Sequence, residues 1–232
     1  TKGQDLLKMT KTLRLALQNK EIQLYFTNPS IQEKIKTYGW NGKINSTSKD
    51  YLAIINSNIG GGKTSKYIKQ SVDLTARIDE KGKIINTVKI TRTHQGSKGH
   101  QFADKNNLSF VRIYVPQGSQ LISAKGFSSL PSEIFETPEK YVKNDEYLEK
   151  VQGKIWLEPN SGTYVNNEFG KTVFGNWLEL DPGESKTVEF KYQLPFKINN
   201  ADKNFWQRIF SRNQNDFYSL YWQKQSGAQD TV

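Results

Sequence analysis

The chain reads as mainly β, an antiparallel β-sandwich with a small helical segment at its N-terminus. Three observations predict this. From Asp50 onward apolar residues recur at every second position, the stretches that do so are joined by short turns bearing Gly or Pro, and no helix-period segment separates the clearest of them. Strands that follow one another without crossover helices form antiparallel sheets. Two packed layers bury their apolar faces most simply, with a closed barrel as the alternative.

Residues 1–45 have a different period and form the predicted N-terminal segment. Leu6, Met9, Leu13 and Leu17 recur at intervals of three and four, which puts one apolar stripe on a helix. Glu21 to Phe26 reads as a short strand. Asn28-Pro29 then supplies a capping side chain and a residue whose fixed φ suits the first helical turn, so a second helix runs from Pro29 to about Tyr38 and stops at Gly39. Gly42 to Lys49 is polar and reads as a linker.

Residues 46–232 form the predicted sandwich. Val72, Leu74, Ala76 and Ile78 alternate with Asp73, Thr75, Arg77 and Asp79, the pattern of a strand with one wet face. Glu80 to Lys83 turns the chain into a return strand, Ile84 to Arg92. Leu108 to Val115 is a further strand, and Gln117-Gly118-Ser119 predicts a second hairpin with Leu121 to Lys125. A third hairpin is expected from Thr172 to Leu180 and Thr187 to Leu194 about the turn Asp181-Pro182-Gly183-Glu184. Shorter strands are expected at Tyr51 to Asn56, Lys154 to Leu157 and Phe217 to Gln223. Residues 128–150 are charged and read as an inserted loop, with one helical turn between Pro138 and Leu148.

Composition narrows the classes of function. Aromatic residues make up 12% of the chain, too many for a disordered one despite a mean hydropathy of -0.73. Lys and Arg number 33 against 23 Asp and Glu, giving a net charge of +10 and a general attraction to anionic partners. The absence of cysteine removes disulfides, thiolate zinc sites and cysteine nucleophiles together. No apolar run is long enough to span a bilayer, and any leader or anchor is expected outside this sequence.

Catalytic motifs fail on inspection. Gly60-Gly61-Gly62-Lys63-Thr64 follows an apolar stretch as a phosphate-binding loop would, but Ser57 stands where the first glycine is needed and a strand pattern follows where a helix should start. A glycine-rich loop between strands is the expectation. His94 and His100 sit among glycines without a full ligand set and read as solvated. No Gly-x-Ser-x-Gly elbow is present, and no carboxylate pair stands out. We expect no metal, no cofactor, no bound nucleotide and no catalytic residue, hence a binding domain in preference to an enzyme.

The aromatic C-terminal stretch reads first as packing, the core face of the last strand with Trp206 and Phe210 buried if their segment folds back over the sheet; if that segment stands away instead, the stretch carries the predicted binding residues. Trp206, Arg208, Phe210, Arg212, Phe217 and Tyr221 combine rings that stack on sugars with cations that hold phosphates or carboxylates. Alternation turns Tyr218, Leu220 and Trp222 inward and leaves Phe217 and Tyr221 on the other face.

Several of these segments resemble a known family. LALQNKEIQLYFTNPSIQEKIKTYGW (15–40), DYLAIINSNIGGGKTSKYIKQSV (50–72), VRIYVPQGSQLISAKG (111–126), GKTVFGNWLELDPGESKTVEFKYQLP (170–195) and YWQKQSG (221–227) are similar to the C-terminal half of the bacterial family catalogued as domain of unknown function 4012. The motifs that carry the resemblance best are Asp50-Tyr51-Leu52, the Asn58 to Lys63 loop, Phe174-Gly175 and Pro182-Gly183-Glu184. The resemblance implies an exported, membrane-anchored surface protein, with the anchor and N-terminal half beyond this sequence and no assigned activity to transfer. Residues 128–150 and 199–216 depart from the family pattern. The expected partner is an anionic cell-wall polymer or another surface protein, with no specific nucleic acid and with membrane contact only through the anchor. The alternative is an accessory or catalytic component of surface-polymer assembly whose active site lies in the other half.

Overall fold

The computed structural model describes residues 2–59, 62–100, 103–131, 134, 145–198 and 217–228. It is mainly β, with 44% of the described residues in strands and 19% in helices, and its strands form two antiparallel sheets packed face to face as a sandwich. The chain divides into two compact units, Thr1–Ser46 with Gln223–Gln229, and Thr47–Trp222.

In the first unit α1 (Lys2–Gln18) and α2 (Pro29–Thr37) follow the expected helices. Asn28 caps α2 by accepting from the backbone N–H groups of Ser30 and Ile31, which have no partner inside the helix. Gly39 takes the left-handed conformation at φ 70°, and the stop falls where expected. Glu21 to Phe26 is not a strand. Among the described residues its only backbone bond to the chain beyond α2 runs from Leu24 N–H to the Trp40 carbonyl, at 2.9 Å, and a single bond builds no ladder. Gln223 closes the unit by accepting from Asn45 N–H and donating to the Lys43 carbonyl.

The second unit holds β1 (Asp50–Ile59), β2 (Ile68–Ile78), β3 (Lys83–His94), β4 (Asn107–Pro116), β5 (Gln120–Lys125), α3 (Glu146–Gln152), β6 (Trp156–Glu158), β7 (Thr163–Glu168), β8 (Lys171–Leu180) and β9 (Ser185–Lys197), with β10 (Leu220–Gln223) joining at its edge. One sheet has the order β10-β1-β4-β8-β7-β6 and the other β2-β3-β9-β5. The apolar positions of the alternating strands meet between them: Leu52, Ile54, Val88, Ile90, Val111, Ile113, Val115, Phe174, Leu178, Val188, Phe190 and Tyr192 are buried in one cluster. Removing these faces from water is the main force holding the layers together.

The β2–β3 hairpin forms as expected, with Val72 opposite Ile90 and Leu74 opposite Val88. The other two predicted hairpins do not form. β4 pairs with β1 and β8, while β5 pairs with β9 in the opposite sheet. Likewise β8 pairs with β4 and β7, while β9 pairs with β3 and β5. The turns about Gly118 and Gly183 therefore pass the chain from one layer to the other, where β5 pairs with β9, and β9 with β3 and β5. β7, which the sequence reading left without a strand, fills the place between β6 and β8. The helix near residues 138–148 appears as α3, from Glu146, capped by Asp145; most of the expected turn lies outside the described residues.

Candidate functional site

The outer face of the six-stranded sheet is where chemistry collects. Val111, Ile113 and Val115 point into the core, so Phe110, Arg112 and Tyr114 point outward. Register then aligns residues far apart in sequence. Arg112 stands opposite Gly175, and Gly175 opposite Tyr164, while Phe110 stands opposite Trp177. Gly175 has no side chain, and the Phe110 ring uses that space: a Cβ there would lie 2.7 Å from the tip of the ring and 3.2 Å from the Arg112 stem. Phe110 is thus laid over the strand, with Trp177 tilted beside it at 4.8 Å between centroids and Tyr164 edge-on at 5.4 Å. Phe110 and Trp177 are half-buried and Tyr164 is 37% exposed. The three rings form a low aromatic platform with one side in solvent.

Charged groups line one flank of the platform. Arg112 Nη1 lies 3.6 Å from Glu168 Oε2, an ion pair longer than a hydrogen bond, and the guanidinium is 5.7 Å from the centre of the Tyr114 ring. Burial pushes the Tyr114 hydroxyl up to about 12, with Arg112 opposing and Glu168 adding to the shift. Further along the same face Lys171 Nζ sits 4.5 Å above the Tyr51 ring, and burial holds this ammonium below the usual lysine range. Tyr51 in turn stacks on Tyr221, centroids 6.0 Å apart and planes 14° from parallel.

Of the residues expected to bind, Tyr221 therefore lies on this face, 43% exposed. Phe217 is elsewhere, 63% exposed with Lys49 Nζ 4.4 Å above its ring. Tyr218, Leu220 and Trp222 pack against the core cluster. Trp206, Arg208, Phe210 and Arg212 lie outside the described residues. The platform residues Phe110, Arg112, Tyr164 and Trp177 were missed by the sequence reading. The signal for two of them was the reverse side of a strand pattern, since Phe110 and Arg112 alternate with the β-branched run Val111, Ile113 and Val115.

A second polar cluster lies between the sheets. Asp50 is fully buried; its Oδ1 accepts from Tyr51 N–H at 2.7 Å, and its Oδ2 accepts from Asn86 Nδ2 at 2.7 Å and from the Tyr218 hydroxyl at 2.6 Å. Asn86 also reaches the Tyr192 hydroxyl at 3.3 Å, so strands of both layers meet at one carboxyl. Burial raises Asp50 above the ordinary carboxylate range against the lowering pull of these three donors.

The motifs set aside in sequence prove to be built into the fold. The Thr64 hydroxyl is buried and accepts from Asn107 Nδ2 at 3.0 Å, which ties the glycine loop to the start of β4. Lys63 precedes a short 3-10 turn, Thr64–Tyr67, in the left-handed conformation, with its side chain exposed. His94 corrects the expectation of a solvated loop histidine. It ends β3, fully buried, and its Nδ1 accepts from Gly96 N–H at 3.0 Å while Nε2 faces the Lys105 carbonyl at 3.0 Å, which places the ring proton on Nε2. Among the described residues no group of three His, Asp or Glu side chains could hold a metal ion.

Fold and face together define an antiparallel β-sandwich with an aromatic, charge-flanked outer sheet surface. No family model, curated protein or solved structure matches the chain.

Proposed function

We propose that this chain is a non-catalytic binding domain of the bacterial cell envelope, carried outside the cell by an anchored parent protein, and that its outer sheet face holds a wall polymer. The observation that carries the reading is the platform of Phe110, Trp177 and Tyr164 over Gly175. Flat rings half-open to water match the apolar faces of sugar rings, and a sheet surface presents them in a row that suits an extended chain. Arg112 at the flank and the net charge of +10 favour an anionic polymer over a neutral one. The resemblance to an exported family is in keeping with this placement.

The test is co-sedimentation with purified wall material, with and without its anionic polymer, against Tyr164→Ala and Trp177→Ala. Each loss of a stacking ring should weaken binding about tenfold, equivalent to roughly 1.4 kcal/mol. Unchanged binding by both variants would overturn the assignment of this face.

A further inference from the structure

α1 presents a surface that its own unit leaves uncovered. At about 100° per residue, Leu6, Met9, Leu13, Ala16 and Leu17 fall on one arc of the helix, while Lys8, Lys11 and Arg14 fall on the opposite side. Leu17 alone among them is buried, at 7%; Leu6, Met9 and Leu13 are 58%, 66% and 50% exposed. Leu7 and Leu15, among the cations, are exposed as well. A lone helix of this length is marginal in water, so an apolar stripe left this open calls for a partner.

From this arrangement we infer that α1 lies flat on an anionic membrane surface, stripe inward and cations toward the headgroups. Charge complementarity and the two-sided layout of α1 both fit a lipid surface. Of the charged residues within α1 only Asp5 is acidic; Lys2 falls at the N-terminal end of the stripe, and the three basic residues of the helix body, Lys8, Lys11 and Arg14, cluster away from it, the distribution of an interfacial helix. Thr10 and Thr12, which flank the stripe, donate their hydroxyls to the Leu7 and Lys8 carbonyls at 3.0 Å each, so neither needs water when the helix settles into a less polar layer. A second copy is a poorer fit, because the stripe covers fewer than two heptads. No described helix is long and apolar enough to cross a membrane, so α1 rests on the surface. This contact is independent of the sheet face and of any polymer held there.

The experiment is partition of the whole chain into vesicles of phosphatidylglycerol and phosphatidylcholine, compared with phosphatidylcholine alone, beside two variants. One carries Met9→Ser and Leu13→Ser; the other carries Lys8→Ser, Lys11→Ser and Arg14→Ser. All five positions are exposed, so both variants should keep the parent's near-ultraviolet circular dichroism. The expected result is saturable binding to the anionic vesicles that weakens as salt rises, is lost in the first variant, and falls about fivefold for each cation removed in the second. Three results would overturn the proposal. These are no binding by the parent, binding lost only with the cations and equal on a soluble anionic polymer, and a concentration-dependent dimer abolished by Leu13→Ser.

Discussion

The Tyr218 hydroxyl donates to Asp50 Oδ2 at 2.6 Å across 168 residues of chain, joining the approach to the edge strand β10 to the first residue of β1. The carboxyl it meets is buried between the two layers, where Asn86 of β3 and Tyr192 of β9 complete the cluster. Tyr218→Phe leaves that carboxyl one donor short, and should cost about 1–3 kcal/mol in urea unfolding. A change within 0.5 kcal/mol, the usual scatter for surface substitutions, would mean that the latch carries no weight.

The same carboxyl predicts a pH dependence. Because burial raises Asp50 in the folded state, the native chain holds this proton to a higher pH than the unfolded chain does. Its contribution to stability is therefore fully present below the unfolded value and is lost as pH rises through the folded one. Asp50→Asn has no proton to lose, so the stability of wild type relative to this variant should improve as pH is lowered across that window. Tyr218→Phe removes one of the interactions that pull Asp50 down, and should extend the window upward. Unfolding curves at a series of pH values would show a flat difference if the carboxyl were not held this way.

Gly175→Ala tests the platform without removing any ring. The new methyl meets the Phe110 ring and the Arg112 stem, so about 1–3 kcal/mol of stability should be lost and Phe110 should lift from the strand. Adding Phe110→Ala should make the glycine substitution nearly neutral in that background, a coupling that a double-mutant cycle reads directly. Additive effects would show that the two residues do not share the space.

The loop behind β3 should be equally intolerant at one position. A Cβ on Gly96 falls on the Ala103 carbonyl oxygen and against the His94 ring, so Gly96→Ala should lower the thermal midpoint by displacing the histidine that accepts from its own N–H. His94→Ala leaves that buried N–H and the Lys105 carbonyl without the ring, at about 1–3 kcal/mol for each group left unsatisfied. Equal midpoints for parent and both variants would refute the structural role.

In the glycine loop the two residues of the Lys63-Thr64 pair should behave oppositely. Thr64→Val removes a buried hydroxyl that Asn107 donates to, and should cost about 1 kcal/mol or more, whereas Lys63→Ala changes an exposed side chain and should stay within about 0.5 kcal/mol. Chemical denaturation of the two variants distinguishes an anchoring loop from one whose lysine matters.

Local chemistry by itself determined the elements whose signals are complete within a few residues. The Asn28-Pro29 start of α2 needs only a capping oxygen and a fixed φ, and the β2–β3 hairpin needs only alternation and a turn. Partner choice is different in kind. A turn such as Gln117-Gly118-Ser119 reverses the chain but does not say whether the next strand lies beside the last or across the core, because both outcomes satisfy the same turn and the same alternation. Which one forms depends on where another strand offers a free edge, and that is settled only when β9 stands between β3 and β5. The same holds for the platform. Phe110, Tyr164, Gly175 and Trp177 come from three strands, and they meet because antiparallel register sets Arg112 against Gly175 and Gly175 against Tyr164, a relation of hydrogen-bonded backbones that no short window of sequence contains.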